Sequence, residues 1–478
     1  MNKVKKIIID YRVNIITFLI PFIILCVIFL GYYPGILSYD SLNQLGQVES
    51  GMITNSHPFF STYFIYLLFK IHASSTTVLL FQIFIFSSFW SYFCGLFKDK
   101  IKCNLIIYSF TFVMSLFPVI SIYSITLWKD ILYSYYLFMI GVLLFKGINN
   151  KFNYKNYEYI IIGLLLTLIS NYRHNGLYVV VMYFILLIIV IISKRKVINK
   201  DIMKKIGLLI LAFVLLNGLI SIPKKIYLSR YDKYKAKITT KEEKEKSLSL
   251  KNNYIIWMMS AHLRDGNITD EEDLEFLNDI LEVKKWKEVY DPYIINSITM
   301  CKDFDGKFVN NNDSKLMSIF LKYSIKHPFT IVKHYLKSDA LLIDPISQFN
   351  GGSVYVFAFS EWGYLGFDGI TTPKIKFIQD QYDKVINFGF VKPLKIFYQP
   401  ALILYLSIIM LIILSIKVYD RRIWLFGTPM FFNTISLLPI NLAQDLRYAY
   451  INYLVFFAVL LLFILNFDKI FNKPRKKA

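Results

Sequence analysis

Acids and bases in this chain gather at the ends of apolar runs. Asp40 and Gln44 follow the first run in "GYYPGILSYDSLNQ", and His57 stands just before Pro58 and Phe59. Lys129 and Asp130 lie in "LWKD", Arg173 and His174 in "NYRHNG", and Arg447 in "NLAQDLRY". A carboxylate within hydrogen-bond reach of a hydroxyl can take its proton, and fixed Arg and Lys donors stabilise negative charge. Paired charges at helix mouths, with aromatics between them, also suit a cavity for an anionic, partly lipid ligand. Each residue has a plainer alternative. Asp40 could be a helix N-cap in "SYDSLNQ", and Asp130 could cap "ILYSYYLFM". Lys129 and Arg173 could snorkel to headgroups. Arg447 could pair with Asp445 or meet a lipid phosphate, and His57 could be a structural turn residue.

The elements that would position these groups are membrane helices. The 478 residues are 55% hydrophobic and 17% aromatic, outside the range of a soluble globular chain. The expected fold is an all-α polytopic membrane protein of about ten transmembrane helices with a large mixed extracytoplasmic insertion. Runs of roughly 17 or more apolar residues can cross a ~30 Å hydrocarbon core. They are Asn14 to Gly31, Thr76 to Phe97, Asn104 to Thr126, Ile206 to Ile222, Ile396 to Ile416, Ile423 to Ile440 and Tyr450 to Phe467, while Ile131 to Phe145 is shorter and extends into Gly147. The run from Tyr159 to Ile192 would be about 51 Å long as a helix, enough for two crossings with the polar hexad "NYRHNG" between them. One unbroken helix would bury Arg173 mid-bilayer at high cost. Phe59 to Ile71 is too short to cross and reads as an interfacial helix.

The net charge of +21 resides mainly in short basic loops and tails, a pattern of orientation that excludes a nucleic-acid face. Placing "NKVKK", "KDKIK", "NNKFNYK", "SKRKVINKDIMKK", "DRR" and "NKPRKK" in the cytoplasm puts both termini there, with a retained N-terminal anchor. Asp40 and the other charged turns then lie outside. The chain divides into residues 1–222, a transmembrane module with a first outer loop over 33–75; 223–399, the extracytoplasmic insertion; and 400–478, closing helices and a basic tail. Within the insertion, Thr269 with Glu272 reads as a capping box opening an exposed helix. Leu316 to Ile343, which carries Lys322, Lys326, Lys333 and Lys337, suits helices on a membrane or against the bundle. "FNGGSVYVFAFSEWGYLGF" reads as a packed loop or short strands, and "KEEKEK" as a solvated linker.

Other motifs carry less. Asp303-Phe304-Asp305 resembles a metal-holding pattern but reads as a surface turn. Cys26, Cys94, Cys103 and Cys301 have neither CxxC nor Cys/His spacing, so no disulfide framework or zinc site is expected. P-loop, GxGxxG, HExxH and GxSxG patterns are absent, which disfavours an ATP-driven pump. A transporter or flippase would use the same charges as a vestibule, but repeat symmetry and midplane polar residues are scarce.

The order of motifs from Tyr33 to about Ile192 resembles the GT-C superfamily of membrane glycosyltransferases, and in particular bacterial relatives of protein O-mannosyltransferases and lipid A aminoarabinose transferases. The resemblance rests on a first span, an outer acid in "YPGILSYDSLNQ" and a His/Pro step into "SHPFFSTYFIYLLFKI". A second acid begins the fourth span, matched by Asp130, and a basic residue follows the fifth, matched by Arg173. The chain departs from the pattern in having Ser41 after Asp40, where many relatives have two acids, and His57-Pro58-Phe59 where Pro-Pro is common. The resemblance implies inverting transfer from a polyprenyl-phosphate-linked sugar to a cell-wall polymer, surface glycan or lipid at the outer face of the cell membrane. Asp40 would be the base. Arg173, followed by Lys129 and Arg447, would hold the lipid phosphate, and Gln44, His57, Asp130 and His174 would line the substrate site. No cofactor is expected and no metal site is assigned, a divalent ion staying open. A polysaccharide polymerase or ligase is a neighbouring reading, and a non-catalytic scaffold a more distant one.

Overall fold

A computed structural model describes residues 11–97, 104–150, 152–193, 200–238, 248–346, 372–389, 394–441 and 444–471. The stretches "NKVKK", "KDKIK", "KEEKEK", "FNGGSVYVFAFSEWGYLGF" and "NKPRKK", and most of "SKRKVINK", lie outside the described residues. Among the described residues the chain is helical, with one isolated parallel bridge between Ile36 and Thr126. It forms two compact units. The first comprises Met1–Tyr231, Val356–Leu437 and Leu446–Ala478; the second comprises Asp232–Tyr355 and Leu438–Asp445.

The first unit opens with α1 (Arg12–Gly31), α2 (Tyr39–Ser50), α3 (Phe59–Phe69) and α4 (Ser75–Gly95). On α1, Val13, Thr17, Pro21 and Leu25 are buried, while Ile15, Leu19, Ile23 and Val27 face outward. An apolar outer stripe behind a packed inner one is what a helix in hydrocarbon requires. The expected single span from Asn104 to Thr126 is broken into α5 (Asn104–Leu116) and α6 (Pro118–Ser124), bent by 67°. Pro118 lacks an N–H and holds the preceding Phe117 extended, at ψ 124°, which stops the first helix. Then come α7 (Lys129–Asn149), enclosed on nearly every face, α8 (Asn156–Tyr172), α9 (Gly176–Ser193) and the long α10 (Lys200–Ile238). The polar hexad thus divides α8 from α9. The span expected over Ile206 to Ile222 is only the middle of α10, which runs on through Pro223 for 39 residues in all.

The second unit holds α11 (Leu250–Arg264), α12 (Glu271–Ile280), α13 (Val283–Val289), α14 (Gly306–Asn311), α15 (Asp313–Lys326), α16 (Pro328–Ser338) and α17 (Ala340–Ile343). Its separate core includes Trp257, Leu277, Trp286, Leu316 and Tyr323. The capping box expected from Thr269 is displaced by one residue. Asp270 is the N-cap of α12, accepting from the backbone N–H of Glu272 and Asp273, because a carboxylate so placed outcompetes a threonine hydroxyl at a helix start. Asp305 caps α14 through Phe308 N, and Asp303 pairs with Lys285 at 2.6 Å, so both acids of the Asp-Phe-Asp motif have structural partners.

The chain returns to the first unit with α18 (Lys376–Gly389), α19 (Pro400–Lys417), α20 (Trp424–Leu437), α21 (Tyr450–Leu465) and α22 (Phe467–Phe471). Among the described residues seven helices are long and apolar enough to cross a membrane, or eight if α5 and α6 count as one span. This is fewer than the ten expected. The remaining two expected spans form α8 and α20, whose 17 and 14 residues reach only about 26 and 21 Å. The chain is therefore a helical multi-pass membrane protein.

Candidate functional site

Two backbone devices bring Asp40 to the start of α7. Ile36 N bonds Ile125 O, and Leu127 N bonds Ile36 O, both at 3.0 Å, so the first loop runs alongside the turn between α6 and α7. Gly35 makes this approach possible: its φ is +111°, and a Cβ there would lie 1.9 Å from Leu79 Cδ1. On α4, the Gln82 amide donates to the carbonyls of Tyr123, Ser124 and Thr126, satisfying the end of α6. The cap of α2 is Ser38, reciprocally bonded with Ser41, whose hydroxyl also donates to Leu127 O at 2.6 Å. Asp40 therefore lies inside the first turn and is not the cap. The cap of α7 is likewise not Asp130 but Trp128, which makes no side-chain cap bond.

Both acids are engaged by bases from distant parts of the chain. Asp40 Oδ2 lies 2.8 Å from Arg447 Nη1 and 3.5 Å from Lys129 Nζ. Asp130, fully buried, has Oδ1 2.9 Å from Arg173 Nε and Oδ2 3.9 Å from Arg447 Nε. The order Lys129, Asp40, Arg447, Asp130, Arg173 is an unbroken alternation of charge. Aromatic faces flank it: Arg173 stacks over Tyr448 at 4.7 Å, and Arg447 over Trp128 at 4.9 Å.

The turn bearing Arg173 is locked from below. Asn175 donates to Ser436 Oγ at 2.9 Å and to Asn433 Oδ1 at 3.3 Å, while Asn433 donates to the Tyr448 carbonyl at 2.8 Å. This buried amide chain ties α9, α20 and the 3-10 turn over Leu446–Ala449 together, and so fixes Arg173 relative to Arg447. Gly176 is required for it, since a Cβ would lie 1.9 Å from Ile169 O.

Burial pushes the Asp40 carboxyl up, but the charges of Arg447 and Lys129 outweigh it and hold the group well below the usual carboxylate range. Burial, then the Lys129 ammonium, pushes His57 down to about 4. His57 is thus a neutral ring at pH 7, with Nδ1 3.3 Å from Lys129 Nζ as acceptor.

Of the residues singled out by sequence, Asp40, His57, Lys129, Asp130, Arg173 and Arg447 converge here. Gln44 is buried, and its amide donates to Ser61 and Thr62, which joins α2 to α3. His174 is exposed at the tip of its turn. Sequence reasoning missed Trp128, Asn175, Asn433 and Tyr448, and also Tyr133, whose ring lies 5.6 Å from the Arg173 guanidinium and whose hydroxyl donates to Asn433 Oδ1 at 3.2 Å. A polar Asn433 inside an apolar run was the available signal, because an amide in hydrocarbon needs a partner.

Within this row of five groups three are cations and two are carboxylates, one more positive charge than negative. Among the described residues Arg173 Nη1 and both carboxylate oxygens of Asp130 are buried without a hydrogen bond of good geometry. Such a buried donor, beside two further cations, suits an oxyanion. Comparison of the chain with protein-family models, with curated proteins and with solved structures finds no match.

Proposed function

We propose that this protein is a membrane glycosyltransferase of GT-C type, moving a sugar from a polyprenyl-phosphate donor to a cell-envelope acceptor at the extracytoplasmic face. In this reading the chain crosses the cell membrane about ten times, α8, α20 and the bent α5–α6 pair included, and both termini are cytoplasmic. The observation that carries it is the surplus positive charge at Lys129, Arg173 and Arg447 beside a carboxylate, Asp40, whose side chain keeps 27% of its surface exposed. A phosphodiester-linked sugar needs both parts: cations for the leaving phosphate and a base for the acceptor.

The acceptor oxygen attacks the anomeric carbon as Asp40 takes its proton. The bond from that carbon to the phosphate oxygen breaks, its electron pair stays on the lipid phosphate, and configuration inverts. Arg447 and Lys129 link the two halves of the step. While they pair with Asp40 they make it a weak base, and a phosphate that draws them away restores its basicity. Asp130 acts as a positioning residue, keeping Arg173 and Arg447 extended toward the phosphate.

Purified protein incubated with radiolabelled polyprenyl-phosphate monosaccharides and envelope acceptors should transfer label. The folded Asp40→Asn variant should lose at least about 100-fold of that rate, the usual contribution of a general base. Equal transfer by the variant would remove Asp40 from the chemistry, and label transport without a new glycosidic bond would replace the enzyme reading with a flippase.

A further inference from the structure

The second unit carries a helix whose polarity is reversed. α16 turns Thr330, His334 and Ser338 inward. Thr330 Oγ1 donates to Asp265 Oδ2 at 3.2 Å and accepts from Asn267 at 2.8 Å, and the Tyr290 hydroxyl lies 2.7 Å from His334 Nδ1. Its apolar residues face out: Phe329, Val332 and Leu336, at i, i+3 and i+7, are 84%, 51% and 57% exposed. Four residues before Phe329, at the end of α15, Ile325 is 79% exposed. A shallow depression of about 480 Å³ extends this surface; Tyr335 and Asp339 stand in its wall beside the apolar Val332, Leu336, Leu438 and Pro439. In water such a face would be inverted, because the polar residues would be outside and the apolar ones packed.

The border of the face is basic. Partial burial, then the like charges of Arg264 and Lys333, push the Lys337 ammonium down, against Asp265 alone on the other side. Lys333 reaches Asp265 only at 3.9 Å, and Arg264 lies over the Tyr290 ring at 4.5 Å. Cations crowded beside an apolar helix face, at the expense of mutual repulsion, match a surface that is apolar within and anionic at its rim. The unit is also covalently tethered to a membrane-spanning segment, since the chain of α10 continues into it.

We propose that the face formed by Phe329, Val332 and Leu336, bordered by Lys333 and Lys337, is a membrane-docking surface by which the second unit inserts into the interfacial layer of an anionic bilayer. The inference is independent of sugar transfer. It concerns where this unit is anchored, and it stands whether the protein is an enzyme or a transporter.

The test uses the full chain in nanodiscs containing a phosphatidylglycerol that bears a photoactivatable diazirine at the top of its acyl chain, with labelled residues mapped by mass spectrometry. Residues 329, 332 and 336 should be labelled severalfold above exposed Glu275 on α12, at a level comparable to Ile15 and Leu19 on α1. Lys333→Glu with Lys337→Glu should lower labelling of α16 severalfold and leave α1 unchanged. Labelling of α1 with none on α16 would overturn the proposal, since the face would then meet water, a second copy or another part of this chain. Equal labelling of α16 in the double variant would overturn the anionic-lipid assignment.

Discussion

Asp130 is the residue on which the charged site turns, because it is the buried anion that two arginines share. Removing one partner of a buried pair leaves the other uncompensated, which typically costs 3–5 kcal/mol. Asp130→Ala and Arg173→Ala should each destabilise the first unit by about that much, and the double variant by clearly less than the sum. Thermal unfolding of the three proteins in one detergent measures the coupling. Additive losses would mean that Arg173 and Asp130 do not pair. The charged members of this site were legible in the sequence, since an ionisable group at the end of an apolar run has few physical reasons to be there. Their partners were not: that Asp40 meets Arg447, 407 residues away, depends on tertiary packing. The local accounts weighed for Asp40 and Asp130 as caps fail because Ser38 and Trp128 occupy those positions.

At the scale of elements, the loop before α2 and the turn before α9 depend on glycines that local propensity cannot replace. Gly35→Ala places a Cβ against Leu79 in a backbone conformation that L residues rarely adopt. It should lower stability by more than about 1 kcal/mol and, by shifting Ser38 and Asp40 away from the α6–α7 turn, reduce activity beyond what the lost stability explains. Gly46→Ala is the control, for nothing lies within 4 Å of its Cβ position and the substitution favours the helix. Comparable losses in both would refute the loop's role. The membrane helices were readable from long apolar runs, whereas α11, α13, α14 and α18, which lack such runs, were not read from the sequence. Helix length was not, because hydropathy sees the apolar middle of α10 and misses the polar continuation to Ile238. The break at Phe117 and Pro118 lay in plain view as a proline inside an apolar run.

At the scale of the whole molecule, the second unit carries a pH dependence of its own. The second unit holds His262 and His334 in its core, both pushed down to about 4, in each case chiefly by burial. The unfolded chain binds protons at these sites near pH 6.5 and the folded chain does not, so stability should rise with pH between about 4 and 6.5. Asp339 acts in the opposite direction. Burial pushes its carboxyl up to about 7, and Asn441 only partly offsets this. Its folded form keeps a proton that the unfolded form releases near 3.8, so the stability associated with the neutral acid is lost as pH rises from there through 7. Together these terms give the second unit a stability maximum that neither set would produce alone. Asp339→Asn, a neutral replacement of nearly the same shape, should stabilise this unit above pH 7 by up to about 4 kcal/mol, at 1.36 kcal/mol per pKa unit, and change little at pH 4. His334→Gln should flatten the acid limb by as much as about 1.4 kcal/mol per pH unit. Hydrogen exchange of α11 and α16 from pH 4 to 9 reads the second unit by itself. A gain from Asp339→Asn that is equal at pH 4 and pH 8 would show that the carboxyl is already ionised throughout, and that its burial is not what limits this unit at alkaline pH.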